Sequence, residues 1–253
     1  MSRESRNTTS CRLRGVVFLT FDVEPDAPPY QSDSYRGVKE GIPWILDFLD
    51  SVGVKATFFI TGVIAKRYPE LVKEIVGRGH EVGSHGLDHS RLDKLPREEA
   101  VRNIRESLKI LWRFYNVRSF RAPNLQLPSY LIPSLRGLGI IVDSSVAVYK
   151  KGHMKAPGWV EGILRIPATV TSSTIRLPGV LARRLTLPHS RQFHVLFYHP
   201  WEFVRVRRKP LYRPDIWMRT GNYARRMLEA IIQEALERGF KFEKLGDAPS
   251  LCG

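Results

Sequence analysis

Short apolar runs, each closing on a polar or charged residue, constrain this chain more than any other feature. Residues 16–21 run into Asp22 and Glu24, and residues 56–60 are apolar and β-rich. Residues 81–83 deliver His85, 119–120 end at Arg121, 140–142 at Asp143, and 195–198 at His199. Runs this short and this apolar read as parallel strands buried on both faces. Stretches of helical period separate them. From residue 41, Pro43 suits a first turn, Trp44, Ile45, Phe48, Leu49 and Val52 make one face, and Gly53 stops it. Further helices are expected over 69–78, 96–115, 128–138 and 222–238, with Trp112 on the apolar face of the longest of the first three. Residues 146–190, punctuated by Pro157, Pro167, Pro178 and Pro188, yield no assignment.

Strand–helix alternation implies βαβ units and a parallel sheet. The expected fold class is α/β, a distorted (β/α) barrel of about seven parallel strands. Chemistry in such barrels sits at the C-terminal ends of strands. Asp22, Glu24, His85, Arg121, Asp143 and His199 all follow apolar runs, so the barrel brings them to one rim. Length allows one such domain: 253 residues divide into a polar N-terminal tail over 1–15 and a single catalytic domain over 16–253.

Composition narrows the class. Hydrophobic residues at 43% and charged ones at 26% are ordinary for a globular chain. No apolar run approaches the ~20 residues of a membrane helix. The first fifteen residues carry no apolar core of a secretory signal, so a cytoplasmic location is expected. The formal net charge of +15 is unusual. Much of it lies in the segment 205–226, where Arg205, Arg207, Arg208, Lys209, Arg213, Arg219, Arg225 and Arg226 face a single acid, Asp215. An anionic polymer is one partner for such a segment and a solvated surface is the bland alternative; nucleic acid is not expected. Two cysteines, Cys11 and Cys252, exclude a disulfide framework or a cysteine zinc site. They flank the first and last strands, which a barrel would make neighbours, so a bridge between them stays open against the rarity of intracellular disulfides.

His85 and His89, four apart, can face one direction across a helical turn and offer two nitrogen ligands to one metal. Glu24 adds a carboxylate, and in a strand it shares a face with Asp22. Two histidines and one carboxylate leave a zinc position open for water, the arrangement of a hydrolase. Asp26 is a further oxygen donor. His80 reads as structural and Glu202 as a rim contact.

Taken in order, Thr20-Phe21-Asp22-Val23-Glu24, Ala56-Thr57-Phe58-Phe59-Ile60, His80-Glu81-Val82-Gly83-Ser84-His85 with His89, Phe120-Arg121-Ala122-Pro123, Asp143-Ser144-Ser145 and Leu196-Phe197-Tyr198-His199 resemble the motifs of polysaccharide deacetylases of the NodB-homology type, carbohydrate esterase family 4. The resemblance runs over about residues 16–245. It implies hydrolysis of an N-acetyl group on a sugar or glycan precursor by a divalent metal, commonly Zn2+. Carried over, it gives Glu24, His85 and His89 as metal ligands, Asp22 as general base, Arg121 as the cation orienting that base, and His199 as general acid. Val23 stands where most of the family has a second aspartate, so the chain resembles the Asp-x-Glu subgroup. The family's Asp-x-x-Asp-Trp segment is not intact; Asp143 and Trp159 stand in for parts of it. Tyr30, Trp159 and Trp201, with Trp44, are aromatic candidates for a sugar face. Two rivals remain: an amidohydrolase of a small non-sugar C–N bond, and a non-catalytic carbohydrate- or polyanion-binding module.

Overall fold

The computed structural model describes residues 9–27, 34–208 and 212–252. Ten strands form one sheet: β1 (Thr9–Ser10), β2 (Val16–Val23), β3 (Thr57–Ile60), β4 (Glu81–Ser84), β5 (Ser119–Phe120), β6 (Val142–Asp143), β7 (Gly158–Val160), β8 (Ile163–Arg165), β9 (Phe193–Tyr198) and β10 (Lys241–Phe242). Their order is β1-β7-β8-β6-β5-β4-β3-β2-β10, with β9 also on β2. All pairings are parallel except those of β7 with β1 and β8. β2 is the spine. One edge pairs with β9 from Val16 to Phe21, and the other pairs with β10 at Val16 and Val17 and with β3 from Thr20 onward. Between β8 and β9 no ladder forms among the described residues. There Thr169 donates its N–H to the Val195 carbonyl at 3.0 Å and accepts the Val195 N–H on its hydroxyl at 3.2 Å. The sheet is thus a strongly curled, distorted barrel, as the alternation of elements implied.

Strand parity explains what points where. Val17, Leu19, Phe21 and Val23 join the larger core beneath the helices, while Val16 and Phe18 face the interior of the curl. Thr20 and Asp22 continue that inward row. Phe58, Val82 and Phe120 pack outward on the helices and Phe59 inward, so His85 and Arg121 extend inward rows at the ends of β4 and β5. Leu196 and Tyr198 pack outward and Val195 and Phe197 inward, which turns His199 inward as well. The interior is crowded: a Cβ on Gly83 would stand 2.6 Å from the Phe59 ring, so only glycine fits there.

The helices form as their periodicity implied. Ile42–Ser51 buries Ile42, Ile45, Leu46 and Leu49; Arg97–Leu111 buries Ala100, Ile104, Leu108 and Leu111. Trp112 falls just beyond that helix and is 43% exposed, so it is not part of the apolar face. Pro69–Gly77, Ile132–Gly137 and Asn222–Glu237 complete the expected set.

Residues 9–15, read as part of a polar tail, are built into the sheet. β1 pairs with β7, Cys11 and Leu13 are buried, and Cys11 is bridged to Cys252 with Cα atoms 5.0 Å apart. The bridge joins positions 241 residues apart, and a loop of that order contributes about 5 kcal/mol in the chain-entropy account.

Candidate active site

The acids of the opening strand and the two central histidines meet at the mouth of the curl. His89 Nε2 lies 2.5 Å from Glu24 Oε2, and His85 Nε2 lies 3.4 Å from the same oxygen. These residues form a group of potential metal donors whose ligand atoms all lie within 4.8 Å of one another. The helical turn expected to align the histidines does not form. His85 follows β4 directly, Gly86 turns the chain at φ +76°, and His89 sits in the left-handed region at φ +65°. Asn103, on the helix Arg97–Leu111, pins this loop by accepting the Leu87 N–H at 2.9 Å and donating to Asp88 at 3.0 Å. Asp26 is not a donor to the group: its carboxylate accepts Ser34 Oγ and the N–H groups of Arg36 and Gly37. Glu24 therefore completes the set.

The His85 ring supplies a test of fit. Its Nδ1 is 2.8 Å from the Arg121 carbonyl, which can only accept, so Nδ1 carries a proton and, in the tautomer a metal ligand needs, Nε2 carries the lone pair. That lone pair faces Glu24 Oε2, a buried oxygen with no conventional hydrogen-bond partner. Two electron-rich atoms facing each other in a dry site need a cation between them. The donor set fits a divalent ion. Burial would raise the Glu24 pKa, but the adjoining imidazoles of His85, His89 and His199 outweigh it and hold the carboxyl well below the usual carboxylate range.

Asp22 lies beside this group and is held by Arg121, whose guanidinium donates to Asp22 Oδ1 and to Thr20 Oγ1, both at 2.7 Å. The same guanidinium reaches Ser144 Oγ at 3.0 Å and lies 4.4 Å from the centre of the Phe59 ring. Arg121 has no exposed surface, so it acts through Asp22. Across the pocket, His199 Nε2 is 3.6 Å from Glu24 Oε1, and its Nδ1 is 3.5 Å from Glu202 Oε2. Burial alone would lower the His199 pKa; the Glu202 hydrogen bond and the charges of Glu24, Glu202 and Asp22 outweigh it and raise it to about 9.

A family model described as polysaccharide deacetylase matches residues 9–142, more than half the chain and all of the site except the His199 side. This chain belongs to the polysaccharide deacetylase family. It is 37% identical over 112 residues to a peptidoglycan-N-acetylglucosamine deacetylase of Bacillus cereus, covering 44% of this chain and 36% of that one. It is 34% identical over 110 residues to a chitooligosaccharide deacetylase of Sinorhizobium fredii, covering 42% and 46%. The matches thus span less than half of either relative. Among solved structures, a peptidoglycan N-acetylglucosamine deacetylase superposes with TM-score 0.65 at 21% identity, over 96% of this chain and 91% of that one. A CE4-family pseudoenzyme from Bacillus anthracis superposes with TM-score 0.64 at 19% identity, over 93% and 66%. The fold of this polysaccharide deacetylase domain is therefore shared by proteins with and without activity.

Asp22, Glu24, His85, His89, His199 and Trp201 line one pocket of about 260 Å³. Trp201 is nearly buried and stacks on the His199 ring at 5.6 Å, so it props the imidazole more than it offers a face to a sugar. Trp159 is not on the pocket: it lies in β7 against the core cluster of Cys11 and Leu13. Trp44 packs between Phe48 and Phe203. Tyr30 lies outside the described residues. Asp143 does not reach the pocket either. It accepts Arg165 Nε at 2.8 Å and holds Ser145, whose hydroxyl fixes the Ala122 N–H.

Sequence reasoning missed Asn124, Leu125, Tyr149, Lys150 and Ile216 on the pocket wall, and it undervalued Glu202. The Glu202 carboxylate accepts the His199 N–H at 2.8 Å, and Arg176 Nε is 3.2 Å from its other oxygen. The signal was present as His199-Pro200-Trp201-Glu202, the spacing of a reciprocal cap with proline at the first turn position. His80, read as structural, accepts the Ala56 N–H at 3.2 Å.

Proposed function

We propose that this chain is a metal-dependent hydrolase that removes N-acetyl groups from an amino-sugar glycan. One observation carries the reading: a metal-ready Glu24–His85–His89 group, an Arg121-held carboxylate at Asp22 and a carboxylate-flanked imidazole at His199 share one small pocket. Glu24, His85 and His89 would hold the ion, and the nitrogen-rich set favours zinc. Such an ion, when bound, supplies Lewis-acid polarisation of the acyl oxygen and lowers the pKa of its water to about 7.

The chain's own residues do the rest. Asp22, fixed by Arg121 and Thr20, accepts the proton of the attacking water as its oxygen bonds to the acyl carbon. His199, as imidazolium, gives its Nε2 proton to the sugar nitrogen as the C–N bond breaks, so acetate and a free amine leave. Glu202 holds the ring protonated, and a divalent charge near Glu24 lowers its pKa toward neutrality.

Asp22→Asn tests the base directly. It should lower acetate release from N-acetylglucosamine oligomers by 10²–10⁴-fold, about the usual contribution of a general base, while the bound metal per chain stays unchanged. Unaltered turnover rejects Asp22 as base. A wild type that binds metal yet releases no acetate from sugars would favour the small-substrate amidohydrolase if other amides are cleaved. Absence of bound metal and of any hydrolysis would favour the non-catalytic binding module.

We also infer where such a chain works. No described helix is long and apolar enough to cross a membrane. The Cys11–Cys252 bridge belongs in oxidising surroundings or in a hyperthermophile's cytosol, so a cytoplasmic placement holds only in the second case. Alkylating thiols at the moment of lysis should leave both cysteines unmodified; two modified cysteines would place the working protein in a reducing compartment.

A further inference from the structure

A second cavity, apart from the catalytic pocket, carries most of the basic segment. It is a groove of about 1180 Å³ whose walls carry Arg36, Arg205, Arg207, Arg208, Arg219 and Arg225. Among the described residues that line it the one acid is Glu40, already taken by Arg36 at 2.7 and 2.9 Å. Among the described residues, Arg205, Arg207, Arg208, Arg219 and Arg225 have no carboxylate within ion-pair reach, and the first three are exposed. Like charges gathered in a concave wall repel one another and focus a positive field on whatever enters.

The guanidiniums are also held in place. Arg225 donates to the Phe203 carbonyl at 2.8 Å and lies 4.9 Å from the Trp44 ring centre. Arg219 lies 5.5 Å from the Tyr223 ring centre and Arg208 5.4 Å from that of Trp217. Stacking on aromatics leaves the planar forks oriented at small entropic cost, which suits two-point recognition of a carboxylate or another oxyanion. Lys209, the remaining cation of that loop, lies outside the described residues.

The groove and the catalytic pocket border on the same two elements. The short helical turn Pro200–Phe203 gives Trp201 to the pocket and Phe203 to the groove; the helix Pro214–Trp217 gives Ile216 to the pocket and Trp217 to the groove. We propose that the arginine groove is a binding subsite for a carboxylate-bearing glycan, gripping acidic sugars of the same strand whose N-acetyl group enters the catalytic pocket. This deepens the deacetylase reading and rests on it for the strand's other end. Charge complementarity selects the acid, a common border with the pocket along Pro200–Phe203 and Pro214–Trp217 favours a polysaccharide strand over an unrelated polyanion, and the aromatic walls suit sugar rings.

Calorimetric titration of the whole chain with two probes tests it. One is a hyaluronan octasaccharide, which alternates N-acetylglucosamine with a carboxylate sugar; the other is the neutral N-acetylglucosamine hexamer. Hyaluronan should bind at least about tenfold more tightly at low salt, with the advantage shrinking as salt rises. The triple variant Arg205→Ala/Arg207→Ala/Arg208→Ala should bring the two probes level. Should that variant fail to fold, Arg207→Ala alone is expected to weaken hyaluronan by about two- to threefold. Equal affinity of the two probes for the wild type, full hyaluronan affinity in the variants, or equal binding of single-stranded DNA of matched charge each overturns the proposal. Asp22→Asn separates the two readings. It should keep hyaluronan affinity, so a chain that binds hyaluronan through these arginines yet releases no acetate would sink the catalytic reading and leave the groove standing.

Discussion

On one wall of the pocket Asp22 meets Arg121 at 2.7 Å, with Thr20 and Ser144 taking further guanidinium hydrogen atoms. On the opposite wall His199 stands between Glu24 and Glu202, 3.6 and 3.5 Å away, and Glu202 has Arg176 behind it. The first wall is a carboxylate fixed by a guanidinium delivered across the curl from the end of β5, three strands along the sheet from β2. The second is a cation fixed by two anions, one of them on its own turn. The proposed base thus faces a cation and the proposed acid faces two carboxylates within one cavity. The first wall rests on strand ends and has little freedom. The second hangs on the short turn Pro200–Phe203 and is open to tuning.

The sharpest way to break the comparison is at its rigid wall. Arg121→Met removes a guanidinium with no exposed surface and strands the Asp22 carboxylate. Losing one partner of a buried pair costs about 3–5 kcal/mol, so the unfolding midpoint in denaturant should fall steeply and activity with it. A loss of activity with unchanged stability would show that Arg121 serves Asp22 alone and not the barrel.

The tunable wall should respond differently. His199 is raised above its ordinary 6.5 to about 9, so its pairing with the carboxylates stabilises the fold fully below about 6.5, and that contribution is lost as pH rises through about 9. In the proposed reaction the protonated form is the one that gives up the proton, so turnover should fall on the alkaline side. Glu202→Gln removes the largest of the raising contributions and should move that alkaline limb down by about one to three units, with little change below it. A pH–rate profile of kcat/KM reads this directly; an unmoved limb would assign it to another group.

These two walls were unequally legible in the sequence. Asp22, Arg121 and His85 lie at the ends of apolar runs, and strand parity alone aims them inward. The pairing of His85 with His89 was legible while its geometry was not, because Gly86 and a left-handed His89 replace the helical turn and Asn103, sixteen or so positions away, holds the loop. Residues 146–190 gave no periodicity because β7 and β8 span three residues each and are held by partners distant in sequence, β1 and β6. Trp159 was misplaced for that reason, since the ladder that turns it onto the second core begins at Thr9. The polar composition of the first residues likewise concealed that Cys11 and Leu13 close the far end of the curl.

A buried carboxylate away from the pocket supplies the control for both walls. Glu81 lies inside the curl with no cation beside it and only hydrogen bonds from Ser119, Thr57 and the Gly246 N–H, at 2.6, 2.7 and 2.8 Å. Burial raises its pKa and those donors lower it only in part. An acid with a raised folded-state pKa loses stability as pH climbs through its unfolded value, here 4.5. Glu81→Gln removes that penalty and keeps an acceptor for Thr57 and Gly246, while the Ser119 hydroxyl can turn to accept the new amide. The variant should therefore match the wild type near pH 4 and be more stable by up to about 1 kcal/mol at pH 7–8, the reverse of what Arg121→Met does to Asp22. Thermal midpoints across that range decide it: a variant less stable at pH 8 than at pH 4, relative to wild type, would mean that the ionised Glu81 is as well compensated by neutral donors as Asp22 is by a guanidinium.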